Sequence, residues 1–301
     1  MRLATIIVDG QMHLAICRKS AWIPIRRLNE AFNTRWPTTM DRLIETGQIS
    51  PLNDWYRQTG QCELDKEPHL SLRLRHCAEA PLYRHPSKIW GIGLNYREHA
   101  KDLSERSPTS APASFMKPDT TIIGPGDAIK IPKLSQKTTA EAELGIVIGK
   151  RCKNVPRDRW LDVVAGFTTI IDMTAEDILR QNPRFLTMSK SFDTFFSFGP
   201  QLVTPDEVGD VYRLDVATVI NGVVHARNTV DHMTFTPDVL IAYHSQVMTL
   251  LPGDIISTGT PGAVHIQHGD KVACRISGFA PLENPVIDLK HPKEKGRALP
   301  M

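Results

Sequence analysis

The sequence predicts a mostly β protein with some α-helix, built from a small N-terminal α+β domain and a larger C-terminal domain. Three observations predict this class. The 301 residues of the chain exceed the roughly 150 that are typical of one domain. Two prolines among polar residues in 81–86 mark a linker, and strand and turn signals dominate beyond it. We therefore place the two domains at residues 1–85 and 86–301.

The N-terminal domain begins with a hairpin pattern. Apolar stretches at 4–8 and 11–16 flank Asp9 and Gly10, a pair that favours a tight turn between strands. After the linker, the apolar stretch 89–94 is typical of a buried strand. These patterns predict ordered structure on both sides of the linker, but nothing in the N-terminal domain indicates a chemical role.

The C-terminal domain contains the clearest hairpin signal. The β-branched stretches 214–220 and 223–227 are joined by Asn221 and Gly222. Asn-Gly accepts the two positive φ angles of a type I′ turn, so this segment predicts a two-residue β-hairpin. A Thr-Pro pair at 236–237 then predicts the start of a helix.

Composition excludes several classes of protein. Hydrophobic residues make up 41% and charged residues 23%, which excludes a disordered or fibrous chain. The net charge is only +3 and the basic residues are scattered, so no nucleic-acid partner is expected. No apolar run reaches the ~18 to 20 residues of a membrane span, and no signal peptide is evident. Five cysteines without a zinc-type cluster agree with a cytoplasmic location.

The pattern at 139–149 predicts a strand with two carboxylates on one face. Alternation places Glu141 and Glu143 side by side, with Cα atoms ~6.5 to 7 Å apart. Their like charges repel unless water screens them or a cation joins them. The simplest interpretation is a solvated strand face.

A third acid makes a metal site the stronger hypothesis. Asp172 follows the apolar strand 163–171 and precedes a Thr-x-x-Asp pattern, from Thr174 to Asp177, that predicts a helix start with Asp177 as the cap partner. Three carboxylates without sulfur or imidazole suit Mg²⁺ or Mn²⁺, and they leave coordination positions for water or substrate oxygens.

A histidine and an acid are predicted to share one face of a short helix. With Asn95 as the N-cap, the stretch 95–103 places His99 and Asp102 at i and i+3. The carboxylate would fix the imidazole tautomer, and the other ring nitrogen would deprotonate water. An exposed, solvated helix face is the alternative interpretation. The polar, proline-punctuated stretch 104–112 is typical of a mobile loop or lid.

A series of short blocks follows in a fixed order across about two thirds of the chain. The blocks are 91–99, 115–118, 140–150, 165–172, 190–195, 199–200, 221–222 and 252–261. Together they resemble the fumarylacetoacetate hydrolase family. The resemblance implies a catalytic domain of mixed β-barrel and β-sandwich rolls, with a smaller N-terminal domain, assembled as a homodimer.

The resemblance also implies roles for individual residues. Three acids would hold one Mg²⁺ or Mn²⁺ ion per subunit, namely Glu141, Glu143 and Asp172. His99 with Asp102 would activate water from the lid. Lys190 would polarise or neutralise a substrate oxygen, and Thr260 would line the acid pocket.

The activity that the resemblance implies is hydrolysis of a carbon–carbon bond in a 2,4-diketo, acylpyruvate-type acid. Water attacks one carbonyl, an enolate departs, and a divalent ion stabilises the developing charge. The alternatives are an oxaloacetate decarboxylase or tautomerase, an isomerase of an unsaturated 2-hydroxy diacid, and a non-catalytic protein that binds 2-oxo acids. A dinucleotide enzyme and a serine hydrolase are not supported, because GxGxxG and GxSxG are absent.

Some positions depart from the family pattern. Glu176 and Leu179 stand where the family usually has an arginine and a glutamine that face substrate oxygens. A carboxylate in place of a guanidinium reverses the charge that an acidic substrate would meet, unless Arg180 or Arg184 replaces it. Asp102 is one methylene shorter than the glutamate that is common at its position. The substrate is therefore the least constrained part of the prediction.

Overall fold

A computed structural model describes residues 1–18, 21–73, 77–97 and 108–291. The described strands, in chain order, are β1 Arg2–Val8, β2 Gln11–Arg18, β3 Ala21–Pro24, β4 Leu72–Arg73, β5 Ala78–Glu79, β6 Ile89–Gly93, β7 Ala113–Lys117, β8 Ile122–Ile123, β9 Ile129–Ile131, β10 Thr138–Ile148, β11 Val164–Ala175, β12 Phe196–Val203, β13 Asp215–Ile220, β14 Val223–Thr229, β15 Ile255–Ser257, β16 Val264–His265, β17 Lys271–Ile276 and β18 Leu282–Asp288.

The helices are shorter and stand mostly outside the sheets. The described α-helices are α1 Ile25–Phe32, α2 Met40–Glu45, α3 Ile49–Trp55, α4 Gln61–Lys66, α5 Glu176–Gln181, α6 Leu186–Lys190, α7 Pro205–Val208 and α8 Pro237–Val247. A π-helical turn, Tyr56–Gly60, joins α3 to α4. Short 3₁₀ helices are Pro68–Leu70, Asp119–Thr121, Arg157–Val163, Pro183–Phe185, Val211–Arg213 and Val230–His232. Strands predominate, which confirms the mostly β prediction.

The larger sheet runs in the order β4-β3-β2-β1-β12-β11-β10-β15-β6-β7. Its N-terminal strand β1 pairs with β12 of the C-terminal part, with Leu3 opposite Leu202. One apolar cluster accordingly contains side chains from both sides of residue 85, among them Leu28 and Phe198. The first residues of the chain therefore extend the sheet that carries the central strands, and a domain boundary near residue 85 stays a prediction.

The smaller sheet packs against the central strands of the larger one. Its order is β14-β13-β17-β18-β9, and a shared apolar cluster joins Leu144 and Ile146 of β10 to Val216 of β13 and Val272 of β17. Neither strand order closes into a barrel among the described residues. The architecture is thus two mixed, open sheets around a common core.

Both predicted hairpins are present. Strands β1 and β2 pair across Asp9 and Gly10, which have φ angles of 50° and 77°. Strands β13 and β14 pair across Asn221 and Gly222, with φ angles of 51° and 83°, as a type I′ turn requires. Helix α8 begins at residue 237 after Thr236 as N-cap, so this prediction is also confirmed.

Two further observations concern the length of the helices and the state of the cysteines. Among the described residues, no helix is long and apolar enough to cross a bilayer. The five cysteines are all free thiols.

Candidate metal centre

The three predicted acids meet on neighbouring central strands. Glu141 of β10 lies directly opposite Asp172 of β11, and Glu143 follows on the same face of β10 because side chains alternate along a strand. Carboxylate oxygens of all three lie within 4.8 Å of one another. The exposed fractions are 9% for Glu141, 1% for Glu143 and 0% for Asp172. The solvated-face interpretation is therefore wrong, because neighbouring strands and packed side chains cover this face.

Glu141 is held by hydroxyl groups on one side and by an ammonium on the other. Its Oε1 accepts hydrogen bonds from the Oγ1 atoms of Thr174 and, at 3.4 Å, Thr139. Its Oε2 lies 3.0 Å from Nζ of Lys190. The two oxygens thus have different partners, which fixes the orientation of the carboxylate plane.

The helix predicted after Asp172 is present, but the prediction that Thr174 caps it is wrong. Strand β11 continues through Ala175, which is the N-cap of α5 without a side-chain hydrogen bond. The Thr174 hydroxyl points across the sheet to Glu141 instead of capping the helix. Asp177 accepts hydrogen bonds from Ser135 Oγ and Gln136 N, both at 2.8 Å. Local sequence favoured a cap, but a partner on the adjacent strand takes the hydroxyl.

Glu143 is an acid of this centre with a raised pKa. Its Oε2 accepts from Ser257 Oγ at 2.5 Å and from the backbone N–H of Gly259 at 2.8 Å. Burial, followed by the nearby carboxylates of Asp172 and Glu141, raises the pKa of Glu143 to about 8. No described residue donates a hydrogen bond to Oε1. A cation beside that oxygen would favour the ionised form.

Lys190 lies beside the acids. It ends helix α6, and its Nζ is 2.6 Å from Asp172 Oδ2 and 4.9 Å from the centroid of the Phe115 ring. Burial disfavours the ammonium, but the carboxylates of Asp172, Glu141 and Glu143 outweigh it and raise the pKa of Lys190. Lys190 is therefore a charged group in this centre.

Sequence reasoning missed a second lysine. Lys117 on β7 places its Nζ 2.6 Å from Asp172 Oδ1 and donates a second hydrogen bond to the carbonyl of Lys190. Burial lowers the pKa of Lys117. Burial also opposes ionisation of Asp172, but Lys117 and Lys190 outweigh it and lower the pKa of that carboxyl. The block 115–118 was the available signal, although it did not identify the partner.

Three predicted site residues remain, namely Thr260, His99 and Asp102. Thr260 is buried and follows Gly259, but its hydroxyl exchanges hydrogen bonds with Gly262, at 3.1 and 3.2 Å. His99 and Asp102 lie outside the described residues. Their predicted roles therefore stay predictions.

The unusual acid at position 176 is neutralised by its own neighbours. Glu176 lies 2.8 Å from Nζ of Lys137 and 2.5 Å from a guanidinium nitrogen of Arg180. Burial opposes its ionisation, but hydrogen bonds from Lys137 and Arg180 outweigh it and lower the pKa of Glu176. The guanidinium of Arg180 is thus engaged with Glu176 and does not replace the family arginine in this arrangement.

The donor set fits a divalent cation. Three carboxylates converge without sulfur or imidazole, which suits a hard ion such as Mg²⁺ or Mn²⁺. Lys190 contacts two of these carboxylates, Glu141 and Asp172, so the cluster already attracts positive charge. The oxygen Oε1 of Glu143 is available as a ligand.

The family model described as fumarylacetoacetate (FAA) hydrolase, C-terminal, matches residues 88–287. The chain belongs to the fumarylacetoacetate hydrolase family. Within this family, the mitochondrial oxaloacetate tautomerase of Xenopus laevis is 34% identical over 266 residues, which are 85% of this chain and 81% of the relative.

Solved structures of similar proteins extend the comparison. Maleylpyruvate hydrolase from Sphingobium sp. SYK-6, in complex with manganese(II) and pyruvate, matches with a TM-score of 0.77 and 29% identity, covering 96% of this chain and 99% of that one. A 5-carboxymethyl-2-hydroxymuconate delta-isomerase from Mycobacterium smegmatis matches with a TM-score of 0.74 and 28% identity, covering 96% and 99%.

Membership of the fumarylacetoacetate hydrolase family confirms the prediction of an enzyme, since the relatives are a hydrolase, an isomerase and a tautomerase. The manganese(II) ion of the maleylpyruvate hydrolase, together with the buried acid triad of this chain, confirms the prediction of a divalent-metal cofactor.

Proposed function

We propose that this chain is a divalent-metal-dependent hydrolase that cleaves a carbon–carbon bond of a 2,4-diketo, acylpyruvate-type acid. The observation that carries the proposal is the convergence of three buried carboxylates with the ammonium of Lys190 at one point. Such a centre can bind a 2-oxo acid and stabilise the enolate that forms when the bond breaks.

The acid triad forms the cation-binding part of this site. Glu141, Glu143 and Asp172 would hold the divalent ion, with Thr174, Ser257 and the backbone of Gly259 orienting two of the three carboxylates. When bound, the ion supplies Lewis-acid stabilisation of negative charge on substrate oxygens.

Lys190 is proposed as the residue that meets the enolate. Its side chain is only 7% exposed, so its charge acts where water screens little. Phe115 covers one side of the ammonium. On substrate binding, Lys190 would neutralise the developing oxyanion, while Thr260 would line the pocket for the substrate carboxylate.

Water activation is assigned to His99 with Asp102. His99 would take a proton from water, and the resulting hydroxide would add to the acyl carbonyl. The carbon–carbon bond then breaks, its electron pair goes to the pyruvate enolate, and the enolate takes up the proton from His99. The products are pyruvate and a second carboxylic acid.

Oxaloacetate tautomerisation is the second candidate, because the Xenopus laevis tautomerase is similar over 85% of this chain. The same enolate stabilisation serves that reaction without water attack. Decarboxylation of oxaloacetate and isomerisation of a 2-hydroxy diacid use the same chemistry and stay open as alternatives.

The experiment that separates these reactions follows products by proton NMR. Metal-stripped protein receives Mg²⁺ or Mn²⁺ and then acetylpyruvate or oxaloacetate in parallel samples. Metal-dependent acetate and pyruvate from acetylpyruvate support the hydrolase. Accelerated keto–enol exchange of oxaloacetate alone supports the tautomerase, and pyruvate from oxaloacetate alone supports a decarboxylase. If both substrates persist unchanged, the chain is a 2-oxo-acid-binding protein or acts on a different acid.

We further propose a cytoplasmic homodimer that takes a small 2-oxo acid and no nucleic acid. The free thiols of all five cysteines agree with a reducing compartment. The exposed valines 223 and 224 on the edge strand β14 offer apolar surface for a second copy. Light scattering on purified protein measures the mass directly, and a monomeric mass would contradict the dimer.

A further inference from the structure

Lys117 has no role in the proposed reaction, yet it is among the most buried charged groups of the centre. Its side chain is 0% exposed, so it has no direct path to a substrate in solvent. Burying an ammonium without partners is costly. Its partners are Oδ1 of Asp172, at 2.6 Å, and the carbonyl of Lys190.

The two oxygens of Asp172 are divided between two lysines. Lys117 contacts Oδ1 and Lys190 contacts Oδ2, each at 2.6 Å. The contact to Oδ1 restricts rotation of the carboxylate about its Cβ–Cγ bond. Oδ2 contacts the same ammonium of Lys190 as Oε2 of Glu141, which lies opposite on β10. Lys117 thus holds one oxygen of Asp172, while the other oxygen shares Lys190 with Glu141.

Strand β7 brings a second residue to the same centre. Phe115 and Lys117 lie on one side of β7 because side chains alternate along a strand. The Phe115 ring lies beside Lys190 Nζ, at 4.9 Å. On β6, Gly91 is paired with Phe115, and a Cβ at Gly91 would lie 2.3 Å from that ring. The glycine therefore provides the space that this arrangement needs.

We infer that Lys117 is a positioning residue, which orients Asp172 as a cation ligand. The inference rests on the proposed function, because it takes the acid triad as the cation site. The direction in which the affinity for a divalent cation changes when Lys117 is removed is informative. By charge alone, removing Lys117 would strengthen binding of a divalent cation, because one repulsive charge is lost. Loss of positioning would weaken that binding.

The test measures Mn²⁺ binding to metal-stripped protein by isothermal titration calorimetry and electron paramagnetic resonance. For Lys117→Met we expect the Kd for Mn²⁺ to rise about 10- to 100-fold, the usual effect of losing a group that supports a metal ligand. Lys117→Gln keeps a hydrogen-bond donor without the charge, so its Kd should lie between those of wild type and Lys117→Met. An unchanged or lower Kd in Lys117→Met overturns the inference.

Lys130→Met is the matched control, since it makes the same substitution at an exposed lysine of strand β9. Its Kd for Mn²⁺ should equal that of wild type. Circular dichroism checks that each variant is folded. If Lys117→Met does not fold, Lys117→Gln decides: a weakened Kd supports the inference and a wild-type Kd overturns it.

A kinetic measurement separates positioning from catalysis. If Lys117 acts through Asp172, excess Mn²⁺ restores kcat of Lys117→Met toward the wild-type value. A kcat that stays low at saturating Mn²⁺ contradicts a pure positioning role.

The Mn²⁺-binding measurement needs no substrate, so it also separates the inference about Lys117 from the proposed hydrolase reaction. Wild-type protein that binds Mn²⁺ but consumes no diketo acid refutes the reaction alone, whereas wild-type protein that binds no Mn²⁺ refutes both.

Discussion

Two ion pairs of this molecule lie in different surroundings: Asp172 of β11 pairs with Lys117 of β7, and Asp215 of β13 pairs with Arg227 of β14. In the first pair, Asp172 and its partner Lys117 have side chains that are 1% and 0% exposed. In the second, the side chains of Asp215 and Arg227 are 27% and 65% exposed, with the closest nitrogen and oxygen 2.7 Å apart. The ion-pair distances are alike, and only the surroundings differ.

Burial of the side chains distinguishes the two pairs, and the position of the strands in the sheets does not. Each pair joins an acid of an interior strand, β11 or β13, to a cation of an edge strand, β7 or β14. Water solvates the exposed charges of Asp215 and Arg227, so their ion pair adds little to stability. In the interior each charge depends on its partner, because removing one leaves the other buried alone. The comparison predicts that equivalent substitutions have unequal effects.

The largest effect is expected for Asp172→Asn. This change leaves the buried ammonium of Lys117 without its carboxylate, because the other acceptor of Lys117 is a neutral carbonyl. We expect the free energy of unfolding of the metal-stripped protein to fall by about 3 to 5 kcal/mol. Urea denaturation, followed by tryptophan fluorescence in the presence of EDTA, measures it. A loss below about 1 kcal/mol would show that the interior pair behaves like a surface pair.

Thr174→Val should have the next largest effect. It replaces a hydroxyl by a methyl group of similar size and removes the hydrogen bond to Glu141. A hydrogen bond to a charged group contributes about 1.5 to 3 kcal/mol, and we expect Mn²⁺ affinity to fall about 10-fold. The matched control is Thr229→Val on β14, whose hydroxyl bonds to the exposed Asp231. Equal Mn²⁺ affinities in the two variants would contradict the assigned role of Thr174.

These residues also show how far the sequence predicts the site. Alternation along β10 predicted that Glu141 and Glu143 share one face, because strand periodicity is a local property. Thr174 was assigned to a helix cap because its Thr-x-x-Asp pattern is local, whereas its partner Glu141 is 33 residues away. Lys117 and Asp172 are 55 residues apart. No pattern within one strand encodes such pairings, which depend on the order of strands in the sheet.

The fold, like the site, was predictable where the signal lies in adjacent residues and was not predictable where distant strands pair. The turn at Asn221 and Gly222 was predictable because its φ angles are set by two adjacent residues. The pairing of β1 with β12 joins residues 3 and 202, and no local signal in the first 85 residues predicted it. The predicted boundary near residue 85 followed from the prolines of the linker, which mark a turn of the chain and do not report strand order.

Gly91→Ala should have a moderate effect through packing. Its new Cβ would lie 2.3 Å from the Phe115 ring, and overpacking of this kind costs about 1 to 3 kcal/mol. Displacing Phe115 from Lys190 should also lower kcat. The comparison variant is Gly222→Ala in the β13–β14 turn, where nothing lies within 4 Å but φ is +83°. It should lose stability by backbone strain and keep wild-type kcat. Equal kcat values would contradict the role of Phe115.

The smallest effect is expected for Asp215→Asn, which removes the partner of Arg227 on the edge strand β14. The guanidinium of Arg227 is 65% exposed, so water solvates it when the carboxylate is lost. We expect the free energy of unfolding to change by about 0 to 1 kcal/mol, and this small contribution should shrink further at high salt, which screens exposed charges. Urea denaturation at low and high salt measures both. A loss as large as that of Asp172→Asn would mean that burial of the side chains does not govern the strength of these ion pairs.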